Sequence, residues 1–106
     1  MAKYLLLYHG GRQPESEEEG AAVMQAWTDW LMGLGAAAVD GGNPFTPAAK
    51  SVSPDGSIGD GPAGSMATGY SIVEADSLDA AAELATGCPH LAADGEISIF
   101  ETFEVM

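Results

Sequence analysis

A run of five consecutive apolar residues, at positions 4–8, is the feature that most constrains the fold of this chain. Gly10 and Gly11 follow the run, and a short apolar segment that ends at glycines is typical of a strand buried on both faces. Such a strand needs cover above and below its sheet. A small chain with a single layer of helices supplies only one of these two covers.

The next segment predicts an amphipathic helix. Ser16 and Glu19 have the spacing of an N-terminal capping box, and Gly35 stands where a helix commonly ends. The acidic residues around Ser16 fit the first turn of a helix, where carboxylates interact favourably with the helix dipole. Apolar residues recur at helical spacing between these two ends, at Val23, Met24, Trp27, Trp30, Leu31 and Leu34.

A long loop separates the two halves of the chain. Residues 36–40 predict a weak second strand, and a segment rich in Gly, Pro, Ser and Asp follows over about residues 41–66. A loop of this length inside a small domain is usually functional or mobile. A short hairpin is expected within it around residues 51–53, because the turn-forming sequence Pro-Asp-Gly follows at residues 54–56.

The second half repeats the order of the first. Residues 68–75 predict a strand, a helix capped by Asp76 or Ser77 follows, and residues 96–105 predict a last strand with a bulge near Phe100. All 106 residues are expected to form one ferredoxin-like α+β domain of order βαββαβ. Two helices would cover one face of its four-stranded antiparallel sheet, and a second copy in a homodimer would cover the other.

The charge of the chain excludes several classes of partner. Sixteen acidic residues stand against Lys3, Arg12 and Lys50, which gives a net charge of −13. Such a surface repels nucleic acids and anionic membranes, so neither is an expected partner. The apolar run near the N-terminus is too short for a signal sequence or a membrane span, and a cytoplasmic location is expected.

Five short motifs recur in an order that is characteristic of one family. They are the strand at residues 3–8, the helix end Trp27-x-x-Trp30-Leu31-x-x-Leu34-Gly35, Asp60-Gly61-Pro62, Gly69-Tyr70, and Cys88-Pro89 leading into Gly95-Glu96-Ile97. In this order the chain resembles the YCII-related family over nearly its whole length, and within that family the DGPF branch. The resemblance implies a dimeric α+β barrel. It implies no reaction, since none is established for the branch.

Departures from the family pattern bear on activity. YCII proteins proper look like enzymes because of a His–Asp pair, whose positions fall here near Met24 and at Cys88. A reaction of that type is therefore not expected. Ala63 stands where the DGPF branch has Phe, and a run of small residues at 64–67 replaces the acidic-Thr-Lys segment of the branch.

The candidate catalytic residues are His9, His90 and Asp60. His9 ends the first strand and His90 precedes the last strand, which should lie antiparallel beside the first. Both imidazoles are therefore expected at the same end of the sheet, where one of them could act as an acid or base. Two unrelated surface histidines are the commoner outcome. Asp60 would reach them only from a folded-back loop or a partner subunit, and Asp-Gly is also a common turn dipeptide.

Tyr70 and Trp27 are candidate ligand-binding residues, through a hydroxyl group and a stacking surface respectively, although aromatic residues at such positions more often pack in the core. Cys88 is the single cysteine, which excludes an internal disulfide and a multi-cysteine zinc site. No cofactor or metal site is predicted.

Three functions remain open from the sequence. The first is a homodimer that binds a small molecule in a cleft between the sheet and the long loop. The second is a cofactor-free enzyme of lyase, isomerase or monooxygenase type, with His9 as acid or base and Asp60 or His90 as its orienting partner; this rests on analogy between folds. The third is a protein-interaction module linked to transcription regulators such as sigma factors, which the DGPF resemblance suggests.

Overall fold

A four-stranded antiparallel sheet with helices on one face organises the structure, a computed structural model that describes residues 1–105. The elements in chain order are β1 (Ala2–Gly10), α1 (Glu17–Leu34), a 3-10 turn (Gly35–Ala37), β2 (Ala38–Asp40), β3 (Lys50–Val52), β4 (Ile58–Asp60), β5 (Ala67–Ala75), α2 (Leu78–Ala85), α3 (Pro89–Ala92) and β6 (Gly95–Glu101). The strand order β2-β5-β1-β6 is the ferredoxin-like order, and it confirms the predicted fold class.

The central strand β1 divides its side chains between the two faces of the sheet. Tyr4, Leu6 and Tyr8 are buried beneath the helices, while Leu5 and Leu7 are half-buried on the other side. β1 pairs with β5 on one edge and β6 on the other, so its backbone is satisfied along its length. Helices within residues 1–105 therefore cover one of the two apolar faces that the sequence indicated.

Both long helices begin at serines that the sequence indicated as caps. The Ser16 hydroxyl accepts a hydrogen bond from the Glu19 N–H at 3.0 Å, and the Ser77 hydroxyl accepts one from the Ala80 N–H at 3.1 Å. The Glu19 carboxylate accepts from the Glu15 N–H at 3.4 Å and not from Ser16, so only half of the capping box forms.

The last strand is shorter than predicted. β6 ends at Glu101, and Phe103 and Val105 are each 83% exposed. The Thr102 N–H donates to the Lys3 carbonyl at 2.9 Å, and this bond is the final one of the ladder. The ladder between β1 and β6 therefore ends before residues 103–105.

The bulge predicted near Phe100 is wrong. β6 pairs with β1 in unbroken register, and Glu101 lies directly opposite Tyr4 at the end of the sheet. A charged residue is tolerated there because its side chain is exposed. The irregularity lies instead in β1, between Tyr8 and His9, where the register against β5 shifts.

A short helix that the sequence did not predict, α3, lies between α2 and β6. Pro89 occupies its first turn, where a missing N–H costs nothing because the N–H groups of a first turn have no partner within the helix. Pro89 therefore begins α3, while α2 ends earlier, at Ala85.

The hairpin expected inside the long loop forms from β3 and β4. Its turn is closed by a hydrogen bond from the Gly56 N–H to the Ser53 carbonyl at 2.8 Å, and Gly56 has a φ of 87°. The radius of gyration is 15.2 Å. A compact chain of this length is expected at about 13 Å. The structure is therefore more extended than a sphere-like domain, in keeping with a hairpin that pairs only with itself.

A buried chain of hydrogen bonds joins three segments beneath the helices. The Tyr8 hydroxyl donates to the Ser71 hydroxyl at 2.7 Å, and Ser71 in turn donates to the Gly41 carbonyl at 2.8 Å. Gly42, next to this carbonyl, has a φ of 74° and lies so close to the Tyr70 carbonyl that a Cβ would overlap it. These contacts fix the start of the long loop against β5.

Removal of the Ser71 hydroxyl should lower stability more than removal of the Tyr8 hydroxyl. Ser71→Ala leaves the buried Tyr8 hydroxyl without its acceptor and should lower the free energy of unfolding by about 1–3 kcal/mol. Tyr8→Phe leaves Ser71 bonded to Gly41 and should cost only about 1 kcal/mol. Urea denaturation of both variants tests this order, and an equal or larger loss in Tyr8→Phe would contradict it.

Stability should fall in alkaline solution for a related reason. Burial raises the pKa of the Tyr8 hydroxyl and of the neighbouring Cys88 thiol. Above about pH 8.5 these groups begin to ionise in the unfolded chain but stay protonated in the folded one, so the unfolded state binds fewer protons. The free energy of unfolding then decreases with rising pH.

The double variant Tyr8→Phe/Cys88→Ala should show a shallower decrease in the free energy of unfolding between about pH 8 and pH 11. Urea denaturation across this range measures the slope, which is independent of any constant stability loss in the variant. Identical slopes for the two proteins would contradict the assignment.

Candidate functional site

His9 and His90 lie at the same end of the sheet, but their rings have different partners. The His90 Nε2 atom is 2.8 Å from the backbone carbonyl of His9. A carbonyl can only accept, so Nε2 carries the proton. The His90 ring also packs on Tyr8, with 5.2 Å between ring centroids. His90 thus ties α3 to the end of β1.

Glycines make room for the His90 ring. A Cβ at Gly11 would lie 2.8 Å from the ring atom Cε1, and a Cβ at Gly95 would overlap the ring. The imidazole therefore lies close against backbone on two sides, which suits a packing role better than contact with a ligand.

The His9 ring bonds to Ser98 and Met66. Its Nδ1 atom is 3.4 Å from the Met66 carbonyl, and its Nε2 atom is 3.1 Å from the Ser98 hydroxyl oxygen. Because the Met66 carbonyl must accept, the neutral ring carries its proton on Nδ1. The Nε2 atom is then unprotonated and accepts the hydroxyl hydrogen of Ser98.

Ser98, the partner of His9, was not indicated by the sequence. Ser98 lies directly opposite Leu7 in the ladder between β1 and β6, and His9 follows Leu7 by two residues. His9 and Ser98 are therefore diagonal neighbours on one face. The alternation of β6 already separated Ser98 from the apolar Ile97 and Ile99, but the register against β1 was needed to place it beside His9.

His9 and Ser98 lie on the uncovered side of the sheet, which we call the open face. Charged residues such as Glu96, which lies opposite His9, stand at its ends, while its central side chains are mostly apolar or aromatic, and Phe100 is 52% exposed. The register aligns them in two rows across the strands β6, β1 and β5: Ser98, Leu7 and Tyr70 form one row, and Phe100, Leu5 and Ile72 form the other.

The first part of the long loop borders this face beside β5. Phe45 stacks on Tyr70 with 6.0 Å between ring centroids and 27° between planes. The Phe45 N–H donates to the Thr68 carbonyl at 2.8 Å, which holds the loop along the edge of β5. The Tyr70 hydroxyl lies 3.4 Å from a carboxylate oxygen of Asp40.

Asp60 lies at the end of β4, in the hairpin. Its carboxylate accepts from the Lys50 ammonium at 2.7 Å, and its side chain is 95% exposed. An exposed pair of this kind contributes little to stability. Among the hydrogen bonds and ion pairs of residues 1–105, the Asp60 carboxylate pairs with Lys50 and with neither histidine.

Trp27 lies on the helix side of the sheet. Its ring makes edge-to-face contacts with Tyr8 at 5.3 Å and with Trp30 at 5.7 Å, and Trp30 donates from Nε1 to the Leu84 carbonyl at 3.2 Å. The two tryptophans therefore pack α1 on the sheet and on α2. Trp27 and Tyr70, both predicted to bind a ligand, lie on opposite faces and cannot line one site.

Residues 1–105 contain neither a metal-binding cluster nor a membrane-spanning helix. No group of three or more His, Cys, Asp or Glu side chains is placed to hold a metal ion. No helix in this part of the chain has the length and apolar character needed to cross a membrane. Cys88 is buried, and burial raises the pKa of its thiol, which makes it a poor nucleophile.

Comparison with known proteins agrees with this architecture. The family model described as the YCII-related domain matches residues 2–106. No curated protein matches the chain. Since the family model covers nearly the whole sequence, and the strand order is the one expected for it, the chain belongs to the YCII-related family.

Proposed function

We propose that this chain forms a homodimer that binds a small molecule between the open face of its sheet and the long loop. The observation that carries the proposal is the division of the open face into two unlike rows. One row is wholly apolar, and the other combines an apolar centre with polar groups at its ends.

The row formed by Phe100, Leu5 and Ile72 suits contact with a second copy. All three side chains are apolar, and Phe100 is 52% exposed in the single chain. Two such faces related by a two-fold axis would bury each other in a sheet-on-sheet contact about 10 Å thick. This arrangement would supply β1 with its second cover, and it is the dimeric α+β barrel that the family resemblance implies.

The row formed by Ser98, Leu7 and Tyr70 suits a small ligand. Leu7 would form the floor of the cleft, with Tyr70 and its stacking partner Phe45 on one side. His9 and Ser98 would form the other side. An apolar floor with a few convergent polar groups is the usual character of a small-molecule site. The ligand would be planar and mostly apolar, with one polar group.

Membership of the DGPF branch and a cytoplasmic location are part of the same proposal. The branch assignment is supported by Asp60-Gly61-Pro62, where the Gly61 N–H donates to the Ala49 carbonyl at 3.0 Å and closes the base of the hairpin. The motif thus has a definite structural role here, as a turn.

A cofactor-free enzyme that uses His9 as a base is the second candidate function. The supporting observation is the setting of the His9 ring, whose Nδ1 atom lies 3.4 Å from the Met66 carbonyl and whose Nε2 atom lies 3.1 Å from the Ser98 hydroxyl oxygen. A base needs an available lone pair and a fixed orientation, and His9 has both. The orienting partner is Met66, not the Asp60 or His90 that the sequence suggested.

The dimer can be tested with a charge placed on the apolar row. Phe100→Asp should make the protein monomeric, because a carboxylate would be buried against a second sheet without a partner. Met32→Asp is the matched control, since Met32 is 75% exposed on α1 and the change in charge is the same. Sedimentation velocity should show a dimer for the parent chain and for Met32→Asp. A monomeric parent chain, or a dimeric Phe100→Asp, would refute the proposed interface.

The two copies should also associate more strongly as the salt concentration rises. Each copy carries a net charge of −13, so two copies repel each other at low ionic strength. Raising NaCl from about 20 mM to about 500 mM shortens the Debye length from roughly 20 Å to roughly 4 Å. The dimer dissociation constant should then fall by about tenfold or more. A constant that is unchanged or rises would show that other forces control assembly.

Ligand binding can be tested with 2-naphthol, a planar apolar molecule with one hydroxyl group. Its addition should shift the NMR signals of the Leu7 methyl groups and the His9 imidazole in a saturable way, while the His90 imidazole on the helix side stays unchanged. Tyr70→Ala should weaken this binding by about tenfold through loss of one aromatic wall. Phe103→Ala, at an aromatic residue that is 83% exposed, should not weaken it. Shifts confined to the helix side, or no saturable shift, would contradict the proposed cleft.

A further inference from the structure

We propose that Ser98 is a nucleophile activated by His9 and that it forms covalent esters with activated acyl or phosphoryl compounds. The inference deepens the function proposed above and rests on it, since it places covalent chemistry in the same cleft. It concerns a residue pair different from the His–Asp pair of YCII proteins, whose positions fall near Met24 and at Cys88 in this chain.

The geometry of the pair meets the first requirement of nucleophilic catalysis. The Ser98 hydroxyl oxygen lies 3.1 Å from the unprotonated Nε2 atom of His9. The base is itself oriented by a third group, because Nδ1 donates to the Met66 carbonyl at 3.4 Å. A nucleophile, a base and an orienting group in series are the recognisable elements of an activated serine.

The surrounding charge favours the proton transfer that activation requires. Glu96 lies directly opposite His9 in the ladder between β1 and β6. Its carboxylate therefore stands on the same face as the imidazole, near the position where positive charge would form during proton transfer. The net charge of −13 on the whole chain acts in the same direction.

The backbone around Ser98 restricts which substrates can react. Lys3 and Thr102 are hydrogen-bonded partners, and the alternation of an antiparallel ladder then turns the Ser98 N–H towards β1. This N–H is used in the sheet and cannot stabilise a developing oxyanion, a contribution commonly worth about 100- to 1,000-fold in rate. Only compounds with good leaving groups are therefore expected to react, and the ester should accumulate.

The reaction with a fluorophosphonate illustrates the step. The Ser98 oxygen attacks phosphorus, the bond from oxygen to phosphorus forms and the bond from phosphorus to fluorine breaks. The hydroxyl proton passes to His9 Nε2 and then to solvent, and fluoride leaves. With an aryl acetate the balance is the same: the serine is acetylated and the phenol is released.

The test is incubation of the full chain with a fluorophosphonate probe, followed by intact-mass measurement and peptide mapping. We expect one adduct per chain, on Ser98. Ser98→Ala should give no adduct, and Ser65→Ala, at an exposed serine one residue from Met66, should react as the parent chain does. His9→Gln should lower the labelling rate by about 100-fold or more, the usual contribution of a positioned base.

The pH profile of labelling provides a readout that does not depend on any variant folding correctly. In the parent chain the labelling rate should rise with pH along the same curve as the deprotonation of the His9 imidazole, measured by NMR. A merely structural hydrogen bond between His9 and Ser98 predicts no such agreement. Circular dichroism of each variant checks that a lost adduct reflects lost chemistry.

Three outcomes would overturn the inference: no adduct on the folded parent chain, an adduct on another residue, or labelling of Ser98 that is unaffected by His9→Gln. The binding of 2-naphthol, measured on the same sample, separates this failure from that of the proposed function. Binding without an adduct removes the nucleophile and leaves the cleft. Absence of both removes the cleft as well.

Discussion

The aromatic ring of Tyr8 lies against Trp27 of α1 and His90 of α3, while its hydroxyl group donates to Ser71 of β5. The helices and the sheet therefore meet at this one side chain. The ring provides the apolar contact that holds the helices on the sheet, and the hydroxyl finds its partner inside the core, where an unpaired one would be costly. Because Ser71 continues the chain of bonds to Gly41, the same contact fixes where the long loop begins.

The position of Tyr8 also determines what its neighbour can do. Successive side chains of a strand point to opposite faces, so burying Tyr8 beneath the helices turns His9 to the open face. The core and the candidate site are thus two consequences of one alternation. Ser98 follows the same rule on β6, between Ile97 and Ile99, which pack on the core cluster.

The elements set by local chemistry were predictable from the sequence. The caps at Ser16 and Ser77, the end of α1 at Gly35 and the hairpin turn at Gly56 all depend on residues adjacent in the chain. The apolar run of β1 and the two repeated βα units were sufficient to predict the ferredoxin-like order.

The features that depend on partners distant in the chain were not predictable in this way. The end of β6 depends on its pairing with β1, because the last hydrogen bond of the ladder joins Thr102 to Lys3. The pairing of His9 with Ser98 depends on the register between the first and last strands. Asp60, which the sequence places near the histidines only through a folded-back loop or a partner subunit, pairs with Lys50 across the hairpin. Register and long-range pairing leave no local signal that a single sequence reveals.

Because β6 lies at the edge of the sheet, the acidity of the chain affects whether separate copies can pair there. β6 has a strand neighbour only on its β1 side, and the alternation of the ladder turns the amides of Ile97 and Ile99 outward. Such an edge is a template on which the sheets of successive copies could polymerise. Glu96 and Glu101 flank it, and mutual repulsion between chains that each carry a charge of −13 keeps two edges apart. In acidic solution, where the chain loses its net negative charge, the same edge becomes a route to aggregation.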